Sequence, residues 1–323
     1  MNIAYYPGCS GQGTSIEYDR STRAVCAALG ISLREISDWS CCGSTPAHCV
    51  DHTLSTALSA RNLAQARADG ADRIATPCPS CLANLKTARH RLADAEMLRT
   101  VRGLLDEELP EKAEDLPDSF SVLQILTEDL SLDVIRKKVT RQLKGLKVVP
   151  YYGCLMSRPV DIMRFDDPEH PTAMDTILEA LGLEVIDFPL KTECCGASMG
   201  IPRQDVTSRL VGRLLQRAKD YGADAIAVAC PLCQMNLDLR QPQAASYMNT
   251  TFDIPVLYFT QFMGLAFGLP EEDLMLHKLC ISPAPLQGKL HAAQVLERAA
   301  QKAAKAEARA EEVKKETAEG GKS

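Results

Sequence analysis

Short apolar runs alternate with amphipathic stretches along most of this chain. Residues 2–6 are apolar and stop at Pro7-Gly8, the pattern of a buried strand. Residues 16–29 carry Tyr18, Val25 and Leu29 at helical spacing and end on Gly30, a C-cap residue. Ile31, Leu33 and Ile36 alternate with polar neighbours as a second strand. Residues 54–68 read as a helix stopped by Gly70, and Arg73–Thr76 is a third strand that runs straight towards Cys78. A helix over 82–91 follows.

The same order then recurs. Residues 147–152 predict a strand, and 172–181 a helix (Met174, Ile177, Leu178, Leu181) ended by Gly182. Residues 183–188 predict a strand, Val206, Leu210, Leu214 and Ala218 mark a helix at i, i+4 spacing, and 225–229 are a further strand. Strand–helix alternation predicts parallel pairing and an α/β layer architecture. The expected fold is two Rossmann-like units from an internal duplication, related by a pseudo-two-fold axis. Residues 1–146 form the first unit with a helical insertion, 147–291 the second, and 292–323 a charged tail. The insertion, 87–144, reads as charged helices covering the first unit. Phe120-Ser121-Val122-Leu123-Gln124 is paired with Ile254-Pro255-Val256-Leu257-Tyr258 as one more repeated strand. From Ala292 the chain is mostly Ala, Glu, Lys and Arg, which can be helical but cannot bury a core.

Cysteines change this picture from a fold to a site. The first copy carries Cys9, then Cys41-Cys42-Gly43, then Cys78-Pro79-Ser80-Cys81; the second carries Cys154, then Cys194-Cys195-Gly196, then Cys230-Pro231-Leu232-Cys233. The lead cysteine is separated from the pair by 31 and 39 residues, and the pair from the CxxC by 35 and 34. Ten of thirteen cysteines fall on this pattern, and all three groups sit just past predicted strand C-termini, where ligands bind to open parallel sheets.

Composition narrows the compartment. A net charge of −6 gives no reason to expect nucleic acid or an anionic membrane as partner. No run approaches the roughly 18–20 apolar residues of a spanning helix, and the N-terminal residues lack a basic signal region. The expectation is a cytoplasmic protein with no direct membrane insertion, where thiols stay reduced and cysteines bind metal or do redox work. A structural zinc site takes four ligands, one fewer than each copy offers. A thioredoxin-like CxxC leaves the vicinal pair and lead cysteine unexplained. An iron–sulfur cluster suits thiolates at sheet edges and helix N-termini, although five exceed the four of an ordinary cubane.

A duplicated Cys…Cys-Cys-Gly…CxxC pattern resembles the CCG cysteine-rich domain family, and within it the B subunit of heterodisulfide reductases. The resemblance covers roughly residues 2–280. It implies two non-cubane [4Fe-4S] clusters, one on Cys9, Cys41, Cys42, Cys78 and Cys81 and one on Cys154, Cys194, Cys195, Cys230 and Cys233. Cys41, Cys42, Cys194 and Cys195 are then the expected catalytic cysteines. The implied function is reduction or formation of a small or protein-bound disulfide in a multi-subunit complex. Cleaving a disulfide takes two electrons and a cluster passes one at a time, so two equivalent sites resolve the mismatch. An electron relay in a sulfur-oxidation or 2-hydroxy-acid dehydrogenase complex, and a zinc-stabilised scaffold, remain alternatives.

The chain has no C-x2-C-x2-C-x3-C run and no G-x-G-x-x-G after a strand. Electrons therefore have to pass through another polypeptide, and the resemblance implies two partners, the ferredoxin-like C subunit and the flavoprotein A subunit of a heterodisulfide-reductase-like complex. Among the remaining candidates, Cys26 reads as core, and Cys49 with His48 and His52 as structural. Cys280 has no counterpart. Tyr5, Tyr6, Tyr151 and Tyr152 read as strand core with hydroxyls near the clusters, and Arg158 and Arg203 as solvated charges near the second site.

Overall fold

Strand–helix alternation yields two four-stranded sheets with the same plan. In the computed structural model, which describes residues 1–44, 47–293 and 295, β1 (Asn2–Tyr5), β2 (Ser32–Glu35), β3 (Arg73–Thr76) and β4 (Asp118–Ser121) pair in the order β2-β1-β3-β4. The second sheet, β5 (Lys147–Tyr151), β6 (Glu184–Val185), β7 (Ala225–Val228) and β8 (Val256–Tyr258), repeats it as β6-β5-β7-β8. Every pair is parallel, as crossovers through helices require. The expected α/β duplication of Rossmann-like units is the observed architecture.

Period-two alternation along β1 divides the core. Ile3 and Tyr5 join a large apolar cluster that runs on into Val148, Ile177, Ile226 and Phe262 of the second unit. Ala4 and Tyr6 point the other way, into a smaller cluster with Leu63, Ile74, Cys42, Cys78 and Cys81. The two units are thus fused through a common core. At the seam the Tyr18 ring stacks on Tyr258, with centroids 4.0 Å apart and planes 5° off parallel. Beside them the buried Ser21 and Thr260 hydroxyls lie 2.8 Å apart.

Several boundaries differ from expectation. β6 pairs over only two residues rather than 183–188; one further bond, Ile186 N–H to the Val148 carbonyl, ends the edge before Pro189, which has no N–H to give. The helix predicted from residue 82 begins with the CxxC itself, as Pro79–Arg91, with Cys78 at the N-cap and proline where a missing N–H costs nothing. The fourth strands are indeed repeated, but Ser121, not Gln124, matches Tyr258. Ser121 accepts a bond from the Gln124 N–H and starts a helix at Val122, so Val122 and Leu123 are helical rather than extended.

The insertion is shared rather than confined to the first unit. Helices Val122–Glu128 and Leu132–Lys138 pack against helix Ala173–Ala180 of the second unit. Among the described residues no helix is long and apolar enough to cross a membrane. The charged tail assigned to 292–323 lies, apart from residues 292, 293 and 295, outside the described residues.

Candidate functional site

Each cysteine group is delivered by a strand end. Cys9 sits in the short helix Gly8–Gly11 after β1, Cys41-Cys42-Gly43 in the loop after β2, and Cys78 and Cys81 in the first turn after β3. In the second unit Cys154 follows β5, Cys194-Cys195-Gly196 the edge strand β6, and Cys230 and Cys233 open helix Pro231–Leu239. The thiols of Cys42 and Cys81 lie 3.5 Å apart, and their counterparts Cys195 and Cys233 3.6 Å. Cys42, Cys78, Cys81, Cys195, Cys230 and Cys233 are buried, Cys154 and Cys194 half-buried, and Cys9 and Cys41 exposed.

The two sets meet. Tyr18 of the first unit donates its hydroxyl to the carbonyl of Ala229, the residue before Cys230, at 3.3 Å, and Cys78 and Cys230 lie near enough for each thiol to shift the other's protonation. Cys78 and Cys230 are each other's counterpart in the repeat.

Crowded thiols share protons. The neighbouring Cys41 and Cys81 thiols hold Cys42 well below the ordinary thiol range, while Cys41 is raised by its closeness to Cys42 and by burial. In the second unit the Cys154 thiol bonds to Cys194 and lowers it to about 6, and Cys154 is raised. In each site the crowding favours the thiolate, the form that ligates metal, at one member of the Cys-Cys pair.

The surroundings repeat as faithfully as the cysteines. Aligned on Gly8-Cys9 and Gly153-Cys154, Tyr6 matches Tyr151. The Tyr6 hydroxyl donates to the Ser40 carbonyl at 2.7 Å and that of Tyr151 to the Glu193 carbonyl at 2.6 Å, in each case the residue before the Cys-Cys pair. The Gly43 and Gly196 N–H groups point at the Cys41 and Cys194 sulfurs at 3.5 and 3.3 Å. Asn84 donates to the Cys42 carbonyl at 3.1 Å; its counterpart Asn236 donates to the Cys195 carbonyl at 3.4 Å and sulfur at 3.5 Å. The two asparagines escaped the sequence reading. Their signal was present, because each CxxC continues as C-x2-C-x2-N.

The other candidates stand apart. Cys26 is core, and burial pushes its thiol up to about 12. Cys49 is exposed with its sulfur 3.4 Å from His48 Nε2, while His52 Nδ1 meets Arg91 instead, so the histidines do not extend the site. Cys280 is exposed, and its N–H donates to Asp238 at 2.7 Å. Arg158 is engaged by the Thr192 carbonyl and Glu169, and Arg203 by Asp205. Tyr152 donates to Asp175, and the Tyr5 hydroxyl is buried without a partner.

Among the described residues, no three or more His, Cys, Asp or Glu side chains are gathered so as to hold one metal ion. Structural zinc takes four ligands, and each unit brings five thiols to one end of its sheet. A polynuclear cluster spreads its ligands over several irons, and the donor set fits one: five thiols with N–H groups directed at sulfur.

A family model for CCG, the cysteine-rich domain, matches residues 3–86 and again 148–238. The chain belongs to this family. The CCG chain is 32% identical to the 8-methylmenaquinol:fumarate reductase membrane anchor subunit of Wolinella succinogenes, over 88% of this chain and 98% of that one. It is 30% identical to a protein of Archaeoglobus profundus described as like the B subunit of heterodisulfide reductase (88% and 95%). Identity is 25% with the B subunit of a ferredoxin/F(420)H(2)-dependent CoB-CoM heterodisulfide reductase of Methanosarcina acetivorans (90% and 97%). These CCG relatives are reductase subunits. Among solved structures, a hypothetical protein from Helicobacter pylori shares the fold with a TM-score of 0.68 at 14% identity, over 87% of this chain and 52% of that one.

Proposed function

We propose that this chain is the disulfide-handling iron–sulfur subunit of a heterodisulfide-reductase-like complex, working in the cytoplasm. Cys9, Cys41, Cys42, Cys78 and Cys81 would hold one non-cubane [4Fe-4S] cluster, and Cys154, Cys194, Cys195, Cys230 and Cys233 the other. Bound there, the clusters supply one-electron redox chemistry at sulfur-ligated iron. The duplicated five-thiol set carries the reading: the two units share one core, and the Tyr18 hydroxyl of the first reaches the Ala229 carbonyl beside Cys230 of the second, so that two one-electron sites can serve one two-electron disulfide.

The chain's own residues fix that arrangement. Tyr6 and Tyr151 pin the loops that present Cys41-Cys42 and Cys194-Cys195, the catalytic cysteines of this reading. The Gly43 and Gly196 N–H groups stabilise charge on sulfur. Exposed Cys9 and Cys41 leave the first site open, so a small or protein-bound disulfide approaches from that side. Electrons would arrive from a flavoprotein partner through a ferredoxin-like one.

The similarity to a fumarate reductase anchor subunit favours a second reading, an electron relay without disulfide chemistry. Anaerobic purification decides the metal: brown protein with about eight irons supports the clusters, and colourless protein with zinc refutes them. A thiol-induced change in the EPR signal, together with turnover of small disulfides, supports the first reading over the relay. An EPR signal indifferent to thiols refutes it.

A further inference from the structure

The two cysteine sets are built alike, but the asparagines behind them are not supported alike. Each CxxC is followed three residues on by an asparagine, Asn84 in the first unit and Asn236 in the second. One helical turn further, the first unit has the buried, apolar Ala88 and the second has Arg240. Arg240 Nε donates to Asn236 Oδ1 at 3.0 Å. Asn236 is fully buried, and its Nδ2 donates to the Ala197 carbonyl at 2.9 Å, the Cys195 carbonyl at 3.4 Å and the Cys195 sulfur at 3.5 Å. Asn84 Nδ2 donates to the Cys42 carbonyl at 3.1 Å.

In the second unit a continuous run of hydrogen bonds therefore joins a cation to a cysteine sulfur. A guanidinium bound to an amide oxygen polarises the amide and makes its N–H the stronger donor. Arg240 forms no ion pair among the described residues, so no carboxylate cancels its charge. Packing fixes its place: a Cβ on Gly200 would lie 2.5 Å from the guanidinium carbon. Gly200 ends the turn Ala197–Gly200, which directly follows Cys194-Cys195-Gly196.

We propose that Arg240, acting through Asn236, raises the reduction potential of the cluster on the second cysteine set. The proposal rests on the iron–sulfur reading above. Uptake of one electron from a one-electron donor protein adds one negative charge to thiolate-ligated iron and moves no proton or group. Hydrogen bonds to sulfur and nearby positive charge stabilise that electron, and exclusion of water opposes it. The second set is the one shielded from water: Cys154 and Cys194 are half-buried, whereas their counterparts Cys9 and Cys41 are exposed. Burial alone would make the second cluster the harder to reduce. Arg240 offsets that burial, so that each set can supply one electron of the pair a disulfide takes. The first set is open to water and carries the uncharged Ala88 at the matching position.

The test is an EPR-monitored redox titration of the anaerobically purified holoprotein, with iron counted in every sample. Cys194→Ser, which should lose the second cluster alone, identifies the signal of the first. Arg240→Gln should lower the midpoint potential of the second signal, holding the electron roughly tenfold less tightly, which is about 59 mV for a one-electron couple. The first signal and the iron content should stay those of the wild type. Gly200→Ala, whose methyl group displaces the guanidinium, should shift the same signal in the same direction. Arg240→Lys, which keeps the charge, should recover part of the shift. Arg203→Gln removes an exposed cation already paired with Asp205 and should move neither signal. An unshifted second potential in Arg240→Gln at full iron content would overturn the proposal and leave Arg240 as a brace for the loop. Equal shifts in both signals would overturn it too, because Asn236 reaches only the second set. A wild type without iron would instead overturn the iron–sulfur reading, and this inference with it.

Discussion

Gly153 stands so close to Cys233 that a Cβ in its place would lie 2.9 Å from the Cys233 sulfur. Gly8 and Cys81 repeat the relationship at the same 2.9 Å. Both glycines also have φ near +70°, where a side chain costs about 1–2 kcal/mol. Gly153→Ala should therefore displace Cys233 and release the metal of the second site. Gly222→Ala is the control, because it has a similar φ of +69° with nothing within 4 Å of a new Cβ. The expected result is a lower melting temperature in both and a loss of iron only in Gly153→Ala. Equal iron in the two variants would show that the close approach is irrelevant to the site.

Cys194 and Cys195 are expected to be ligands of one cluster only. Serine at either position should reduce bound iron from about eight to about four per chain, abolish disulfide turnover and leave the first site's EPR signal in place. Cys280→Ser, altering an exposed thiol outside both sets, should keep all the iron. Iron and acid-labile sulfide analysis reads the outcome, and full iron in both Cys194→Ser and Cys195→Ser would remove them from the site.

The cysteine frame was legible because its chemistry is local in sequence. An apolar strand that runs into C-P-x-C marks the strand end, as at Arg73–Thr76 and Ala225–Val228, whereas the helix start was read at 82 and lies at Pro79. The fourth strand was legible as a repeat but not in register, because Val122-Leu123 reads equally well as strand or as the buried first turn of a helix. Contacts across the seam carried no signal at all. Tyr18 and Tyr258 are 240 positions apart, and nothing in either neighbourhood announces that the rings stack.

Tyr151 supplies a buried donor to the Glu193 carbonyl, one residue before Cys194. Tyr151→Phe removes that bond at about 1 kcal/mol and frees the loop carrying the Cys-Cys pair. The variant should fold, melt a few degrees lower and surrender iron to a chelator faster than wild type. Tyr221→Phe, on an exposed ring, should match wild type in both. A chelation rate unchanged in Tyr151→Phe would mean that the loop is held by other contacts.

Cys26 gives a pH dependence whose sign is fixed by its surroundings. Burial among Val25, Leu29 and Ile31 raises its thiol from the ordinary value of 9.0 to about 12. Because the folded value is the higher, the unfolded chain loses its proton first as pH rises. The thiol's contribution to stability is thus fully present below pH 9 and is lost between 9 and about 12. At pH 10, one unit above the unfolded value, the loss is about 1.4 kcal/mol. Cys26→Ala should lower stability at pH 8 by removing packed volume, yet fall less steeply than wild type between pH 8 and pH 10. Urea midpoints of both proteins at the two pH values measure the difference, and every other tyrosine and cysteine cancels in the comparison. Parallel losses in the two proteins would show that Cys26 ionises in the folded chain as readily as in the unfolded one.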